Sequence, residues 1–292
     1  MTFRTTIAFR ALCLGAFFVA AAASAQSWAW DDGTTPYVQS PPEVVDRMLR
    51  LAEPRRGEFL IDLGSGDGRI VIEAAKKYGA RGLGVDIDPR LVKLARENAR
   101  AAGVESLARF EAQDFFKLDL SQADIISAYL LPDVNLQLRP ALLALKPGTR
   151  IVTHDYHMGD WGFDEMVEIP VAEKLVGPMG RSRAYLFVVP ADASGTWRSN
   201  LPEHGGTWEF RIAQKYQVLD VKARAGANEQ QVRGMRLRGT EIRLVAFGIV
   251  GGKPVSQAFV GTVSDGRIEG QVTINRDDER RILPWTATRT AR

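Results

Sequence analysis

Apolar and polar residues alternate along the middle of the chain in a way that predicts a parallel α/β sheet. Short apolar runs of strand length are separated by longer segments whose apolar residues recur at helical spacing. The runs that predict strands are 59–63, 82–88, 108–112, 123–130 and 150–154, followed by a hairpin at 172–176 and 184–189. The segments that predict helices are 43–52, 69–78, 89–103 and 134–145. Strands alternating with helices of this length predict a doubly wound seven-stranded sheet with right-handed crossovers.

The pattern changes after Pro190, and no convincing helix is predicted beyond it. Short alternating runs are separated there by glycine-containing turns, and Asp265-Gly266 is a strong hairpin signal. We therefore predict a small antiparallel all-β domain of about eight strands, either a barrel or a curved sheet. The predicted domains are 26–190 for the α/β sheet and 191–292 for the antiparallel part. Three tryptophans are expected in the core of the second domain: Trp197, Trp208 and Trp285.

The first 25 residues have the pattern of a signal peptide rather than of a folded element. Arg4 and Arg10 form a basic start, an apolar run follows, and Ala23-Ser24-Ala25 matches a signal peptidase site. We therefore expect export to the periplasm or the medium, with cleavage before Gln26. The alternative is an uncleaved segment that anchors the chain to a membrane. The single cysteine, Cys13, lies in this segment, so the mature chain is expected to form no disulfide.

Length and charge restrict the classes of function that remain. The chain has 292 residues, 45% of them hydrophobic, which suffices for one large domain or two smaller ones. The formal net charge of +3 is small for that length and gives no electrostatic case for a nucleic acid partner. The function therefore has to be sought in local motifs.

A glycine-rich turn follows the first predicted strand and opens the next helix. In its sequence, Asp62-Leu63-Gly64-Ser65-Gly66-Asp67-Gly68, the glycines let a ligand lie against bare backbone at a helix N-terminus, whose free N–H groups favour anions. The dinucleotide fingerprint needs a glycine at position 69, which is arginine here, and no Walker sequence follows. The other common ligand of such a turn is S-adenosylmethionine. We therefore expect this cofactor to bind at Asp62, Gly64, Ser65 and Gly66.

Residues after the second and third strands extend this prediction. Asp86 ends the second strand, where an acceptor-only carboxylate can bind the two ribose hydroxyls. Ile87 is expected to cover one face of the adenine, Asp114 to accept from the adenine amine, and Phe115 to pack on the ring. These positions lie at the carboxyl ends of the strands, where ligands bind in open α/β sheets.

Two other stretches permit both a structural and a functional interpretation. Ser40 is expected to cap the first helix, and Tyr37 before it either packs beside the helix start or covers the ligand. Four residues that can bind metals follow or end the fifth strand: His154, Asp155, His157 and Asp160. Because residues three apart on a strand point to opposite sides, we predict no metal site.

Residues 36–189 resemble a class I, seven-stranded S-adenosylmethionine-dependent methyltransferase, which has a Rossmann-like fold. Residues 62–68 are similar to the first motif of that superfamily, and Gly84-Val85-Asp86-Ile87-Asp88 is similar to its second. Three further segments are similar to the lysine methyltransferases that modify an ATP synthase c-subunit or an adenine nucleotide translocase, and to their bacterial relatives. These segments are Pro36-Tyr37-Val38, Tyr129-Leu130-Leu131-Pro132 and 145–154. The resemblance implies protein lysine N-methylation, with Tyr37 covering the cofactor.

The same resemblance implies that the segment after the fourth strand lines the channel for the substrate amine. Tyr129 and Pro132 are the predicted catalytic residues, because the phenol oxygen and the carbonyls of residues 130–132 can orient an amine. Two alternatives stay open: a methyltransferase acting on a small molecule, and an exported, non-catalytic binding protein that reuses the fold. The second addresses a conflict, since S-adenosylmethionine is made in the cytoplasm while the N-terminus predicts export.

Overall fold

The computed structural model describes residues 37–172, 174, 180–202, 206–250 and 252–291. The chain divides into two compact units, Met1–Tyr37 and Val38–Arg292, and the fold described below is that of the second. The predicted signal peptide, residues 1–25, lies outside the described residues. No helix in the described part of the chain is long and apolar enough to cross a membrane.

A mixed seven-stranded sheet forms the N-terminal part of the larger unit. Its strands are β1 (Phe59–Leu63), β2 (Arg81–Asp86), β3 (Ala108–Ala112), β4 (Ile125–Ala128), β5 (Arg150–His154), β6 (Glu165–Pro170) and β7 (Arg181–Val188). They lie in the order β3-β2-β1-β4-β5-β7-β6, with β1 to β5 parallel and β7 antiparallel to both of its neighbours. The chain reverses its direction of winding between β1 and β4, which creates a ligand crevice at their carboxyl ends. The predicted α/β fold class is confirmed.

Four helices cover the two faces of this sheet. They are α1 (Pro42–Ala52), α2 (Arg69–Tyr78), α3 (Pro89–Ala101) and α4 (Pro132–Leu143). Prolines begin three of them, because the first turn of a helix does not use the missing N–H. Asp88 caps α3 by accepting from the Arg90 backbone N–H, and Gly79 ends α2 in the left-handed conformation. The apolar sides of α1, α2 and α3 pack into one core cluster, and that of α4 packs into another.

Two local predictions in this half were wrong. The closing hairpin starts with β6, which precedes the predicted run 172–176, and the described members of that run belong to no strand. Four of the six residues of β6 are exposed, so this edge strand lacks the apolar run that marks a buried one. Ser40 does not cap α1: Pro41 holds the N-cap position, and the Ser40 hydroxyl is directed to His154 instead.

Eight antiparallel strands follow and close into a barrel. They are β8 (Gly195–Leu201), β9 (Gly206–Lys215), β10 (Val218–Ala225), β11 (Asn228–Arg238), β12 (Glu241–Val250), β13 (Lys253–Ser264), β14 (Arg267–Arg276) and β15 (Glu279–Ala291). Each strand pairs with the next along the chain, and β15 pairs with β8. The antiparallel part is therefore a closed barrel rather than a curved sheet.

Aromatic side chains fill the barrel. Trp197 and Trp208 are fully buried and Trp285 is 1% exposed, as expected for core residues. The Phe259 ring lies 5.2 Å from that of Trp208 and 5.0 Å from that of Trp285, in edge-to-face arrangements. An eight-stranded barrel is just wide enough for its side chains to fill, and these rings fill it.

Asp160 joins the barrel to the sheet. Its Oδ2 lies 2.9 Å from Nζ of Lys215, the last residue of β9, and its Oδ1 accepts from the hydroxyl of Tyr216 in the following turn at 3.2 Å. Arg139 of α4 donates to the same carboxylate at 2.5 Å. The hydrogen bond from Lys215, supported by Tyr216 and by both cations, lowers the pKa of Asp160 to about 2. The loop after β5, helix α4 and the barrel are thus linked through one side chain.

Candidate functional site

The glycine turn connects β1 to α2 and is held against β2. Its glycines all have positive φ, at 71° for Gly64, 54° for Gly66 and 81° for Gly68. The backbone N–H groups of Gly64 and Ser65 both donate to the Val85 carbonyl at 2.9 Å. A Cβ on Gly68 would lie 2.6 Å from the Phe110 ring, so the turn packs too closely for a larger residue.

Asp86 ties the end of β2 to this turn. Its Oδ2 accepts from the Gly66 N–H at 2.9 Å, and its Oδ1 accepts from the Asp88 N–H at 3.0 Å. The N–H groups of residues 64–66 are therefore used inside the protein, and the turn offers a ligand close backbone approach rather than the free donors that the sequence suggested. A carboxylate oxygen accepts more than one hydrogen bond, so Asp86 keeps capacity for ligand hydroxyls.

Asp62 lies beneath the turn and is 3% exposed. Its Oδ1 accepts from the Ser127 hydroxyl of β4 at 2.7 Å. Burial raises the pKa of the Asp62 carboxyl to about 7, and the charges of Asp86 and Asp67 act in the same direction, while the Ser127 hydrogen bond opposes them. The carboxyl therefore changes its charge close to neutral pH.

The residues predicted to hold an adenine lie after β2 and β3. Ile87 is 77% exposed beside Asp86. The Gln113 N–H donates to the Asp86 carbonyl at 3.0 Å, and this hydrogen bond holds the residues after β3 beside the end of β2. Asp114 accepts from the Phe116 N–H at 3.0 Å, and so caps the 3₁₀ turn Phe115–Lys117. Phe115 packs partly buried against the sheet core.

Arg69, the residue in place of the third glycine, fastens the segment before α1 to the turn. Its guanidinium donates to both carboxylate oxygens of Asp67, at 2.9 Å and 2.6 Å, and to the Ser40 carbonyl at 2.7 Å. Gln39 adds a hydrogen bond to Asp67 at 3.3 Å. In the sequence, Arg69 is notable only as the residue in place of a third glycine, and no local pattern predicts this contact. Tyr37, which belongs to the smaller unit, is 42% exposed.

The segment after β4 contacts the glycine turn. A Cβ on Gly64 would lie 3.1 Å from Leu130 Cδ2. Tyr129, half-buried, precedes Leu130, and Pro132 begins α4. The structure thus brings both predicted catalytic residues to the sheet edge that carries the turn.

His154, at the end of β5, packs its ring against that of Tyr129. The two rings are 3.8 Å apart between centroids. The imidazole Nδ1 lies 2.9 Å from the Ser40 hydroxyl and Nε2 lies 3.0 Å from the Ser182 hydroxyl. Burial lowers the pKa of His154 to about 4, so the ring is neutral at physiological pH.

The four residues considered for a metal have separate partners. His157 Nδ1 accepts from the Gly159 N–H at 3.0 Å, whereas His154 bonds to serines and Asp160 to the barrel. Within the described ranges, no group of three or more His, Cys, Asp or Glu side chains has an arrangement that could hold a metal ion.

Asp155 and Lys174 form a buried ion pair that sequence analysis missed. Asp155 follows β5 directly with a φ of 60°, and its side chain is 1% exposed. The Lys174 side chain is 5% exposed, with Nζ 2.5 Å from Asp155 Oδ2, and donates to the Arg181 carbonyl at 2.7 Å. The Arg183 N–H donates to Asp155 Oδ1 at 3.0 Å. No local pattern relates these residues, because they lie on different connections of the sheet.

This ion pair adjoins the predicted amine site. Burial, followed by the charges of Asp155 and Tyr156, raises the pKa of the Tyr129 hydroxyl well above its usual value. The Tyr129 hydroxyl therefore keeps its proton and can both donate and accept hydrogen bonds.

The sheet domain is similar to known protein-lysine methyltransferases. The profile of the ANTKMT methyltransferase domain matches residues 62–165. A protein-lysine N-methyltransferase of Saccharolobus islandicus is 38% identical over 136 residues, which are 46% of this chain and 84% of that enzyme. The lysine N-methyltransferases of Mus musculus for the adenine nucleotide translocase and for the ATP synthase c-subunit are 37% and 35% identical, each over 43% of this chain. The chain spans only 55% and 51% of the length of these two enzymes.

A solved structure extends the comparison. An RNA methyltransferase from Salinibacter ruber, in complex with S-adenosyl-L-homocysteine, is 47% identical, with a TM-score of 0.48; the match covers 53% of this chain and 95% of that chain. The Saccharolobus islandicus enzyme is matched over most of its length, and the ANTKMT profile covers the glycine turn, Asp86 and the segment after β4. The chain therefore belongs to the ANTKMT family of S-adenosylmethionine-dependent methyltransferases.

Proposed function

We propose that this chain transfers a methyl group from S-adenosylmethionine to a lysine amine of a protein. The contact between Gly64 of the glycine turn and Leu130 after β4 carries the proposal, because it brings a cofactor site next to an amine site. The names of the relatives from Saccharolobus islandicus and Mus musculus, which are lysine N-methyltransferases, support lysine as the acceptor.

The residues at the sheet edge fit the cofactor. The Ser65 hydroxyl is buried without a hydrogen-bond partner among the described residues, which suits a polar ligand at the turn. Asp86 keeps acceptor capacity, and Ile87 exposes an apolar side chain beside it. When bound, the cofactor supplies a methyl group whose bond to a positively charged sulfur breaks as the acceptor nitrogen bonds to the carbon.

Each predicted site residue has a role in this proposal. The turn would receive the methionine part, with Asp62 beside it, and Asp86 would accept from the ribose hydroxyls. Ile87 and Phe115 would cover the adenine, and Asp114 would accept from its amine. The residues predicted from the sequence to bind the cofactor are Tyr37, Asp62, Gly64, Ser65, Gly66, Asp86, Ile87, Asp114 and Phe115, and all but Tyr37 lie in the larger unit.

Orientation of the amine is the task of the segment after β4. The transfer requires a neutral amine, which loses its proton to solvent before it reacts. The Tyr129 oxygen and the backbone carbonyl of Leu130 would accept hydrogen bonds from that amine and stabilise the positive charge that grows on it. The carbonyl of Leu131 accepts from the Asn135 N–H at 3.0 Å, so the carbonyls of Leu131 and Pro132 belong to α4, and Pro132 fixes the start of that helix beside the site. Neutral His154 holds the Tyr129 ring in place.

Calorimetric titration of the chain with S-adenosylmethionine tests the cofactor assignment. We expect binding by the unmutated chain and an affinity lower by about tenfold or more in Asp86→Ala, which loses hydrogen bonds worth about 1–3 kcal/mol. Asp46→Ala is the matched control, because Asp46 makes exposed ion pairs on α1 and α2 away from the turn. Absence of heat from the unmutated chain would sink the proposal.

Labelled cofactor and a cell-envelope extract test the acceptor. We expect a protein label that resists base and ribonuclease and disappears when lysines are blocked beforehand. A base-labile label would show a carboxyl ester, and a ribonuclease-sensitive label would show an RNA acceptor. Either result would contradict lysine methylation.

We also propose that residues 1–25 direct export and are removed before Gln26. The basic start, the apolar run and Ala23-Ser24-Ala25 support this proposal. Fractionation followed by intact-mass measurement is the test, with a mature chain expected outside the inner membrane. An intact N-terminus in the membrane fraction would favour the anchor instead.

A further inference from the structure

The outer surface of the barrel differs between its two sides. On β10, buried and exposed residues alternate strictly, and the exposed residues after Val218 are all charged. On β12, the residues that alternate with the buried ones include Val245, Phe247 and Ile249. An antiparallel wall that faces water carries polar residues on its outer side, so the apolar outer side of β12 indicates a binding surface.

The strand register continues this apolar surface across β13 to β15. Val245 pairs with Ala258 of β13, and the same row crosses β14 to reach Ile282 of β15. Phe247 is 41% exposed and Ile282 is 54% exposed, and neither belongs to the core cluster of the barrel. We call this surface the apolar wall; it comprises Val245, Phe247, Ile249, Ala258, Val260 and Ile282.

Arginines border the apolar wall on both sides. Residues three apart on a regular strand point to opposite faces. A bulge in β11, with Gly234 at a φ of 62°, instead brings Arg233 and Arg236 to the same outer face, beside β12. Arg280 lies at the opposite border, on β15. Arg233 and Arg280 form no ion pair within the described part of the chain, so their guanidinium groups are available to a partner.

Charge distinguishes the barrel from the sheet domain. Residues 195–292 contain 16 Lys and Arg against 10 Asp and Glu, whereas residues 26–194 contain 20 against 25. Three rows of paired residues cross the apolar wall from β11 to β15, through Phe247, Val245 and Arg243 of β12. These rows contain four arginines and no acidic residue. The apolar wall therefore complements a surface that is both apolar and anionic.

We infer that the apolar wall docks on a lipid bilayer that contains anionic phospholipids. Phe247 and Ile282 enter the boundary between headgroups and acyl chains, while Arg233 and Arg280 donate to lipid phosphates. The docked barrel holds the chain at a membrane without any need for residues 1–25. This inference is independent of the proposed methyl transfer.

The shape of the barrel favours a bilayer over a protein partner. Every barrel strand is paired on both sides, so a peptide has no free edge to which it could add a strand. The outer wall of a closed barrel is convex, and a protein partner would need a concave surface that matches it closely. A fluid bilayer accommodates a convex surface without such a match.

Co-sedimentation with lipid vesicles tests the inference. All proteins in the test begin at Gln26, because residues 1–25 lie outside the larger unit and their apolar run would itself bind lipid. We expect binding to vesicles of phosphatidylcholine with about one-third phosphatidylglycerol, and no binding to phosphatidylcholine alone. An increase in NaCl from about 0.05 M to about 0.5 M should weaken binding by about tenfold or more, because salt screens the arginines.

Two double variants separate the charged and the apolar contributions. Arg233→Gln/Arg280→Gln should lower the affinity for the anionic vesicles by about thirtyfold. Phe247→Thr/Ile282→Thr should lower it by about tenfold or more, and threonine keeps the preference for a strand. Near-ultraviolet circular dichroism of the buried tryptophans checks that the barrel is intact. If a double variant does not fold, its single variants are compared, each with an expected loss of about threefold or more.

Val218→Thr/Lys222→Gln is the matched control. It changes an exposed apolar residue and an exposed cation on β10, away from the apolar wall, and should bind like the unmutated chain. Equal affinity in all three double variants, or no binding to the anionic vesicles, would overturn the inference. A loss confined to the arginine variant would reduce the surface to a basic patch and also contradict docking. A lipid-free dimer that both wall variants abolish would assign the apolar wall to a second copy of the chain instead.

Discussion

At the scale of single residues, burial and the nearest partner together determine the properties of each carboxylate at the sheet edge. Asp86 is partly buried and receives two backbone N–H groups, so it holds the turn in shape. Asp62 is buried with a single hydroxyl partner, and its pKa lies near 7. Asp155 is equally buried but has a lysine beside it. One side-chain type thus serves as a brace, as a group that titrates near neutrality and as a cation site.

Asp62→Asn should change how stability depends on pH. The folded state raises the pKa of Asp62 from 3.8 to about 7, so folding favours the protonated form. Stability of the unmutated chain from this source is greatest below about pH 4 and falls as the pH rises towards 7. We expect the melting temperature of Asp62→Asn, relative to the unmutated chain, to increase from pH 5 to pH 8. Parallel curves for the two proteins would show that Asp62 does not titrate in this range.

Asp62→Asn should raise stability at high pH but lower the affinity for the cofactor there. If the ionised Asp62 faces the positive charge of the cofactor, affinity in the unmutated chain should rise as the pH passes 7, and Asp62→Asn should lose this rise. Calorimetry at pH 6 and pH 8 measures both. If Asp62→Asn is more stable than the unmutated chain but binds the cofactor more weakly, the weaker binding cannot be caused by unfolding.

The placement of some residues was predictable from the sequence, and that of others was not. Gly64, Asp86 and Tyr129 were predicted to lie at one sheet edge because each stands at or directly after the end of a parallel strand. The pairing of Asp155 with Lys174 was not predictable, since no local pattern joins two different connections. Ser40 was misassigned because its tertiary contact with His154 outweighs the local preference of serine for a helix cap.

At the scale of elements, the regular alternation of strands and helices made most boundaries predictable. The bounds predicted for β1, α2, β3 and β5 agree with the structure. The buried strands β1 and β5 are mostly apolar runs, the edge strand β3 alternates over its first three residues, and Gly68 and Gly79 bound α2. The exposed edge strand β6 has no such run and was misplaced. Pairing of β15 with β8 could not be predicted, because a closed barrel and a curved sheet share the same alternation.

Arg69→Ala should loosen the start of α1. The guanidinium holds the Ser40 carbonyl and Asp67, so its removal frees the segment before α1 from the glycine turn. We expect faster amide hydrogen exchange at Val44 and Val45 and weaker binding of S-adenosylmethionine. Arg90→Ala is the control, because Arg90 forms a similar pair with Asp88 but is 91% exposed and should contribute little. Equal exchange in both variants would contradict a fastening role for Arg69.

At the scale of the whole molecule, contacts around Asp160 join the barrel to the sheet domain. Asp160 contacts Lys215 and Tyr216 of the barrel and Arg139 of α4. Helix α4 begins at the proposed amine site, so this carboxylate links that site to the barrel. The antiparallel character of the second domain was predictable from alternation, but this junction was not, because its members come from three distant parts of the chain.

Asp160→Ala should make the connection between the domains more accessible. We expect faster proteolytic cleavage within residues 190–195, while the near-ultraviolet circular dichroism of the buried tryptophans stays unchanged. Arg243 and Glu241 form an exposed pair on β12, so Glu241→Ala is the control, without an expected effect on cleavage. Unchanged cleavage in Asp160→Ala would show that other contacts secure the junction.

The pairing of β15 with β8 has a consequence for how the protein is made. Of the barrel strands, β8 is synthesised first and β15 last. During synthesis, the incomplete barrel therefore has two open strand edges. These edges persist until residues 279–291 have emerged, and open edges pair readily with other chains. The barrel can be completed only after translation of its final strand, whereas the methyltransferase sheet has all of its strands by residue 188. An unfinished chain of this protein therefore exposes two barrel edges at a time when every strand of the sheet has already been made.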